Sequence, residues 1–170
     1  MEIAIDSAGI ILLAKCDILR ETCDIADLGI TAAIKDEVMA GLEKGRKDAL
    51  YMQELLNERK INVSEVDMKL TKKFVEDFNL GIGEASVIAL AVNRNIPLIA
   101  DDNRCRKVGK VLGLEILSSL DFPIILYKKD AIDYEKAKIC MEIMKKEGWF
   151  GEGVLAEYSK YLSNIEGDRK

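Results

Sequence analysis

The chain of 170 residues contains no histidine. That excludes hydrolase chemistry in which a serine or cysteine nucleophile passes its proton to an imidazole. It equally excludes zinc held by histidine. Any metal site must be built from oxygen, which favours Mg2+ or Mn2+. Cysteine is scarce, and Cys16, Cys23, Cys105 and Cys140 form no CxxC pair. They read as free thiols of a reducing compartment rather than as a four-cysteine zinc site. Positive charge is not in excess. The formal net charge of −5 argues against a non-specific nucleic-acid coat, since such proteins are strongly basic, and leaves binding at a local basic patch. The longest apolar run, Ala8 to Ala14, falls far short of the roughly 20 residues that span a bilayer. Met1-Glu2 is not basic and no cleavage site follows, so the expectation is no secretory signal, no membrane and a cytoplasmic location. What is present, 49% hydrophobic and 32% charged residues, is the composition of one globular domain with a real core and room for a helical appendage.

The most informative stretch runs from Gly81 to Ile116. Ala85, Ile88, Ala89 and Val92 recur at helical spacing, and Glu84 opens that helix, leaning toward its buried stripe. Pro97 to Ala100 reads as a short, fully buried strand ending on Asp101-Asp102. A second helix follows, with Cys105, Val108, Val111 and Leu112 on one side and Arg104, Lys107 and Lys110 on the other, and Gly113 stops it. Leu114 to Leu117 is the next strand. Glu84 also fits a favourable first-turn acid, and Asp101-Asp102 also fits a cap for the next helix. Carboxylates at the carboxyl end of a buried parallel strand, however, stand where open α/β sheets bind ligands.

Before this unit, Glu2 to Ile5 is an apolar strand ending on Asp6, and Ser7 is placed to cap the helix to Lys15. Asp17 to Cys23 is a short helix and Asp27 to Ile30 a second strand. Thr31 caps a helix whose inner stripe is Ile34, Val38 and Leu42, with Glu37 bordering it. A carboxylate on an inner edge is costly unless paired or coordinated. A helix over 46–58 with Ala49, Met52 and Leu56 inward, an edge strand over 61–66 and a helix over 68–78 complete the first half. Beyond the central unit, Phe122 to Tyr127 is an apolar segment that fits a strand or a buried connection. Helices follow over 131–146 and 153–162, with a frayed tail after Asn164. The turn between them carries Trp149 and Phe150, read as core anchors of the last helix, with a partner surface or base-stacking platform as the alternative.

Strands alternating with helices imply a parallel sheet covered on both faces. If the first strand is central and neighbours the fourth, then Asp6, Glu37, Glu84 and Asp101 converge at its carboxyl edge. Acids so gathered repel one another. Divalent cations relieve that repulsion, and such a site suits phosphodiester hydrolysis.

The segments IAID at the N-terminus, IKDEV around Glu37, GIGEASVIALA around Glu84 and LIADDNRCRKVGKVLGL together resemble a PIN domain, over roughly Met1 to Ser118. The expected organisation is a PIN-like nuclease domain over 1–120 with a C-terminal helical extension over 121–170 packed on the same domain. The resemblance implies a five-stranded parallel sheet of order 3-2-1-4-5 between helices. It further implies Mg2+- or Mn2+-dependent endoribonuclease activity with one or two ions. Carried over, Asp6, Glu37, Glu84 and Asp101 are the catalytic, metal-binding acids and Asp102 a variable neighbouring acid. Ser7, Asn103, Arg104, Arg106, Lys107 and Lys110 are candidate RNA contacts; Asn103 also fits a helix cap. Many members of the family are toxins held by an antitoxin, and many form homodimers. The competing readings are a non-catalytic PIN-like RNA- or protein-binding module, and a phosphoryl-accepting α/β domain, which the missing DxD after the first strand disfavours.

Overall fold

The computed structural model describes residues 1–169. In chain order the elements are β1 (Glu2–Ile5), α1 (Ser7–Lys15), α2 (Leu19–Ile25), β2 (Asp27–Thr31), α3 (Ala32–Met39), α4 (Lys47–Asn57), β3 (Ile61–Ser64) and α5 (Met68–Phe78). Then come α6 (Ile82–Arg94), β4 (Leu98–Ile99), α7 (Asn103–Val111), β5 (Ile116–Leu117), α8 (Asp121–Lys128), α9 (Tyr134–Glu147) and α10 (Glu152–Arg169). The strands form one parallel sheet in the order β3-β2-β1-β4-β5. Parallel sheets need cover on both faces, and β1, at the centre, has Ile3, Ala4 and Ile5 all buried. Ala4 is in register with Gly29 on one side and Leu98 on the other, so β1 and β4 end side by side. β4 and β5 are short, but the peptides beyond them extend the ladder: the Asp6 amide donates to Ile99 O (3.0 Å) and the Ala100 amide to Leu117 O (3.1 Å).

The most enclosed helix is α6. Every residue from Ala85 to Ala91 is buried, as expected of a helix apolar all round, and it packs against β1, β2, α3 and α5. Its one buried hydroxyl is satisfied: Ser86 Oγ donates to Gly83 O (2.8 Å) and lies 2.7 Å from Thr31 Oγ1. No helix is long and apolar enough to cross a membrane among the described residues. All four cysteines are free thiols, and Cys16 and Cys140 each donate to the other's carbonyl at 3.7 Å.

Five local expectations change. Phe122 to Tyr127 is neither strand nor connection but the body of α8, with Pro123 in the first turn, where a missing N–H is harmless. Helix α3 stops at Met39, and Leu42 sits in a short 3-10 turn (Leu42–Lys44) closed by Gly45 at φ 63°. In α4 the buried leucine is Leu55, and Leu56 is only half-buried. Phe150 packs on the core, but Trp149 is 95% exposed and anchors nothing. The last helix does not fray after Asn164. It runs to Arg169, whose guanidinium donates to Asp130 (2.8 Å) and Lys128 O (3.0 Å) and lies over the Tyr127 ring.

Helix α9 packs on α1, and Leu155 and Leu162 of α10 belong to the same buried cluster as Ile5 and Leu13. Leu162→Ala removes a side chain that is 1% exposed and should cost about 2–5 kcal/mol, lowering the midpoint of a single unfolding transition. Calorimetry checks this: a separate low-temperature transition in the variant would show that the C-terminal helices unfold on their own.

Candidate functional site

The chain leaves β1 through Asp6, which is 4% exposed at the carboxyl edge of the sheet. Its Oδ1 accepts the Gly9 amide (2.7 Å), capping α1, and its Oδ2 accepts the Asp101 amide (3.2 Å) from beyond β4. One buried carboxylate therefore joins the start of α1 to the end of the neighbouring strand. The cap is Asp6, not Ser7 as the sequence suggested, because only Asp6 reaches both amides. Burial is the largest influence on its pKa. With the charges of Asp101 and Asp102, and against the Gly9 and Asp101 amides, it raises the value from 3.8 to about 7.

Ser7 instead faces α3, where its Oγ donates to Glu37 Oε1 (2.8 Å). Glu37 is exposed rather than set on the inner edge of α3; this hydrogen bond turns its carboxylate back toward the sheet. A Cβ on Gly83 would stand 2.8 Å from Glu37 Oε2, so the glycine before Glu84 leaves the space Glu37 occupies. Glu84 accepts the Gly81 amide (2.8 Å) as the third residue of α6. Asp102 caps α7 by accepting the amides of Arg104 (2.7 Å) and Cys105 (3.0 Å), which leaves Asn103 as the first helical residue rather than the cap. Burial opposes the charge on Asp102, but the Cys105 and Arg104 amides, with the Glu84 side chain and the Arg104 charge, outweigh it and hold its pKa below the ordinary value. Burial also pushes up the thiol of Cys105, helped by the charges of Asp6, Glu84 and Asp102, which all reach it.

Asp101 is held from a side that the sequence reading missed. Its Oδ1 accepts from Ser118 Oγ (2.8 Å) and the Ser119 amide (3.0 Å), while its Oδ2 is buried and has no hydrogen-bond donor among the described residues. The Ser118 amide donates to Asp121 Oδ2 (2.7 Å), and Tyr158 of α10 donates to Asp121 Oδ1 (2.7 Å). A chain of contacts thus runs from the last helix to the acids. The Ser-x-x-Asp spacing of Ser118 and Asp121 is that of a capping box, and it was the available signal.

Ser7, Glu37, Asp101, Asp102 and Asn103 line one cleft, and Asp101, Asn103 and Arg106 line a second beside it. The Arg106 guanidinium donates to Ala100 O (2.8 Å) and that of Arg104 to Asn79 O (2.8 Å). Lys107 and Lys110, further along α7, line neither cleft.

Among the described residues no three acids close around one point, because most carboxylates are turned to neutral donors. The donor set nevertheless fits a hard cation. It is all oxygen, it leaves Asp101 Oδ2 open, and Mg2+ needs only one or two carboxylates because it keeps several waters.

A parallel sheet of this order, with acids from four parts of the chain at its carboxyl edge, defines a class of α/β domain that binds at that edge. Within that class the chain belongs to the PIN-domain family: the family model DUF3368, a PIN domain, matches residues 2–164. PIN domains are typically metal-dependent nucleases. Among solved structures, a PilT N-terminus domain protein from the hyperthermophilic archaeon Sulfolobus solfataricus P2 is similar at 16% identity and a TM-score of 0.41, covering 71% of this chain and 89% of that one. No curated protein matches.

Because the folded-state pKa of Asp6 is raised from 3.8 to about 7, the folded chain holds a proton between those values that the unfolded chain has released. Its contribution is full at low pH and is lost as pH rises toward 7. In EDTA, the stability of Asp6→Asn relative to the parent should therefore improve by on the order of a few kcal/mol from pH 4 to pH 7. A difference that stays constant across this range, measured by denaturant unfolding, contradicts the strained carboxylate.

Proposed function

We propose that this chain is a divalent-metal-dependent endoribonuclease acting in the cytoplasm, hydrolysing RNA phosphodiester bonds at the carboxyl edge of its sheet. The observation that carries the reading is a buried carboxylate oxygen, Asp101 Oδ2, without a donor among the described residues, on an aspartate that shares a cleft with Glu37 and Asp102 and whose amide is held by Asp6. Asp6, Glu37, Glu84, Asp101 and Asp102 would hold the metal, and one or two Mg2+ or Mn2+ ions suit this set. Bound there, a divalent cation supplies Lewis-acid stabilisation of phosphate charge and a water of lowered pKa. The chain supplies orientation. Ser118 and Ser119 fix Asp101, Ser7 fixes Glu37, and the Gly9 amide fixes Asp6. Asn103 and Arg106, on the cleft walls, and Arg104, beside Asp102, are placed to meet phosphates, with Lys107 and Lys110 continuing the path along α7. The family resemblance supports two further expectations, an antitoxin partner and a homodimer.

A second reading, a PIN-like binding module without catalysis, is favoured by one observation: no three acids close around one point among the described residues.

The test is cleavage of labelled single-stranded and structured RNAs in Mn2+, Mg2+ or EDTA. The parent should cut only with metal, and Asp6→Asn and Asp101→Asn should each lose about 100-fold or more while keeping their far-UV dichroism. Folded variants that cut as well as the parent overturn the site. A parent that neither cuts nor binds divalent ions establishes the module instead.

A further inference from the structure

We infer that Trp149 is a stacking platform that seats an unpaired base of single-stranded RNA beside the acids. The inference rests on the nuclease reading and deepens it by naming the residue that seats a base beside the acids. Trp149 is the chain's one tryptophan and is 95% exposed. A lone exposed aromatic needs no explanation, but this one is held in a particular place.

The turn carrying it, between the end of α9 at Glu147 and the start of α10 at Glu152, is pinned on both sides. Behind the indole, Phe150 packs on the core, and Gly148 makes that possible, since a Cβ there would stand 2.6 Å from the Phe150 ring. Ahead of it, Glu147 is bound to Lys15 of α1 (2.7 Å). Of two adjacent aromatics, one is therefore a partly buried anchor packed on the core and the other projects.

Its position is at the acids. Trp149 lines both clefts described above, and both also contain Asp101 and Asn103. The larger, about 410 Å³, has Ala8, Ile11 and Leu12 as apolar lining, with Glu37, Asp101 and Asp102 among its acids. A flat, partly apolar base suits the indole and this lining, with its phosphate toward the acids.

The charge distribution points the same way. The chain carries a net charge of −5, and Lys15, which lines the larger cleft, is already paired with Glu147. Phosphate attraction, which supplies most non-specific nucleic-acid affinity, is left to the cations of α7, and stacking adds an interaction that does not depend on charge. Bases in a duplex are already stacked and paired, so a duplex has no face to offer.

Because Trp149 is the sole tryptophan, its fluorescence reports contact directly. The parent would be titrated with a 12-nucleotide oligouridylate, the same strand with abasic positions, and an RNA duplex, in EDTA and again in Ca2+. A fluorescein-labelled copy of the strand would report binding by anisotropy. The single strand should quench Trp149, and the abasic strand and duplex should not. Trp149→Ala should bind the labelled strand roughly 5- to 100-fold more weakly with an unchanged melting temperature, and Trp149→Phe should keep most of the affinity. Binding without a change in tryptophan emission, equal binding by Trp149→Ala, equal quenching by the duplex, or no binding in either condition overturns the platform. Quenching that persists in a parent unable to cut RNA would sink the nuclease reading and leave the platform standing.

Discussion

Asp6 brings a negative charge into the interior at the point where two parallel strands end. Its carboxylate is 4% exposed, stands within the influence of Asp101 and Asp102, and accepts two amides, those of Gly9 and Asp101. A buried charge so placed must be relieved by protonation or by a cation. Several local features follow from that requirement. Gly9 has no Cβ, where one would press on Asp6 Oδ1 at 3.1 Å. The Asp101 amide points at Asp6, and the Asp101 side chain is turned to Ser118 and Ser119, leaving one oxygen buried and open. These arrangements hold carboxylate charge in the interior, which costs the fold unless it is protonated or neutralised.

The fold delivers the other acids from unrelated parts of the chain. Helix α6, enclosed on all sides, fixes Glu84 in its first turn, and α3, packed against it, brings Glu37 across to Ser7. The C-terminal helices reach the same edge, through Tyr158, Asp121 and Ser118 to Asp101 and through Trp149 to the cleft mouths. The segment after Leu120 is thus tied to the acids by specific contacts, and the PIN-domain match runs through it to residue 164.

Much of this was legible in the sequence because burial on both faces of a parallel strand leaves a short apolar run. Asp6 and Asp101 stand out as the charges that end two such runs, and the motifs around them carry the family resemblance, which gave the sheet order. What was not legible depends on tertiary partners. Asp6 and Ser7 are both good caps, and only the Asp101 amide, nearly a hundred residues away, decides between them. Six apolar residues in a row do not distinguish strand from helix by periodicity, so α8 was open. Trp149 and Phe150 are neighbours flanked by glycines, and which of them faces inward is settled by the core beneath. Glu37 borders the buried stripe in sequence, yet the residue is exposed on α3, and its carboxylate accepts the Ser7 hydroxyl across from α1.

The most direct measurement is a calorimetric titration of Mn2+ and Mg2+ into the parent and into Asp101→Asn at pH 6.5, in two buffers of different ionisation enthalpy. The account predicts that the parent binds the ions and releases protons, since burial raises the Asp6 pKa to about 7 and a cation displaces its proton, and that the variant binds at least about 10-fold more weakly. No divalent binding by the parent, or equal binding by both proteins, would contradict it.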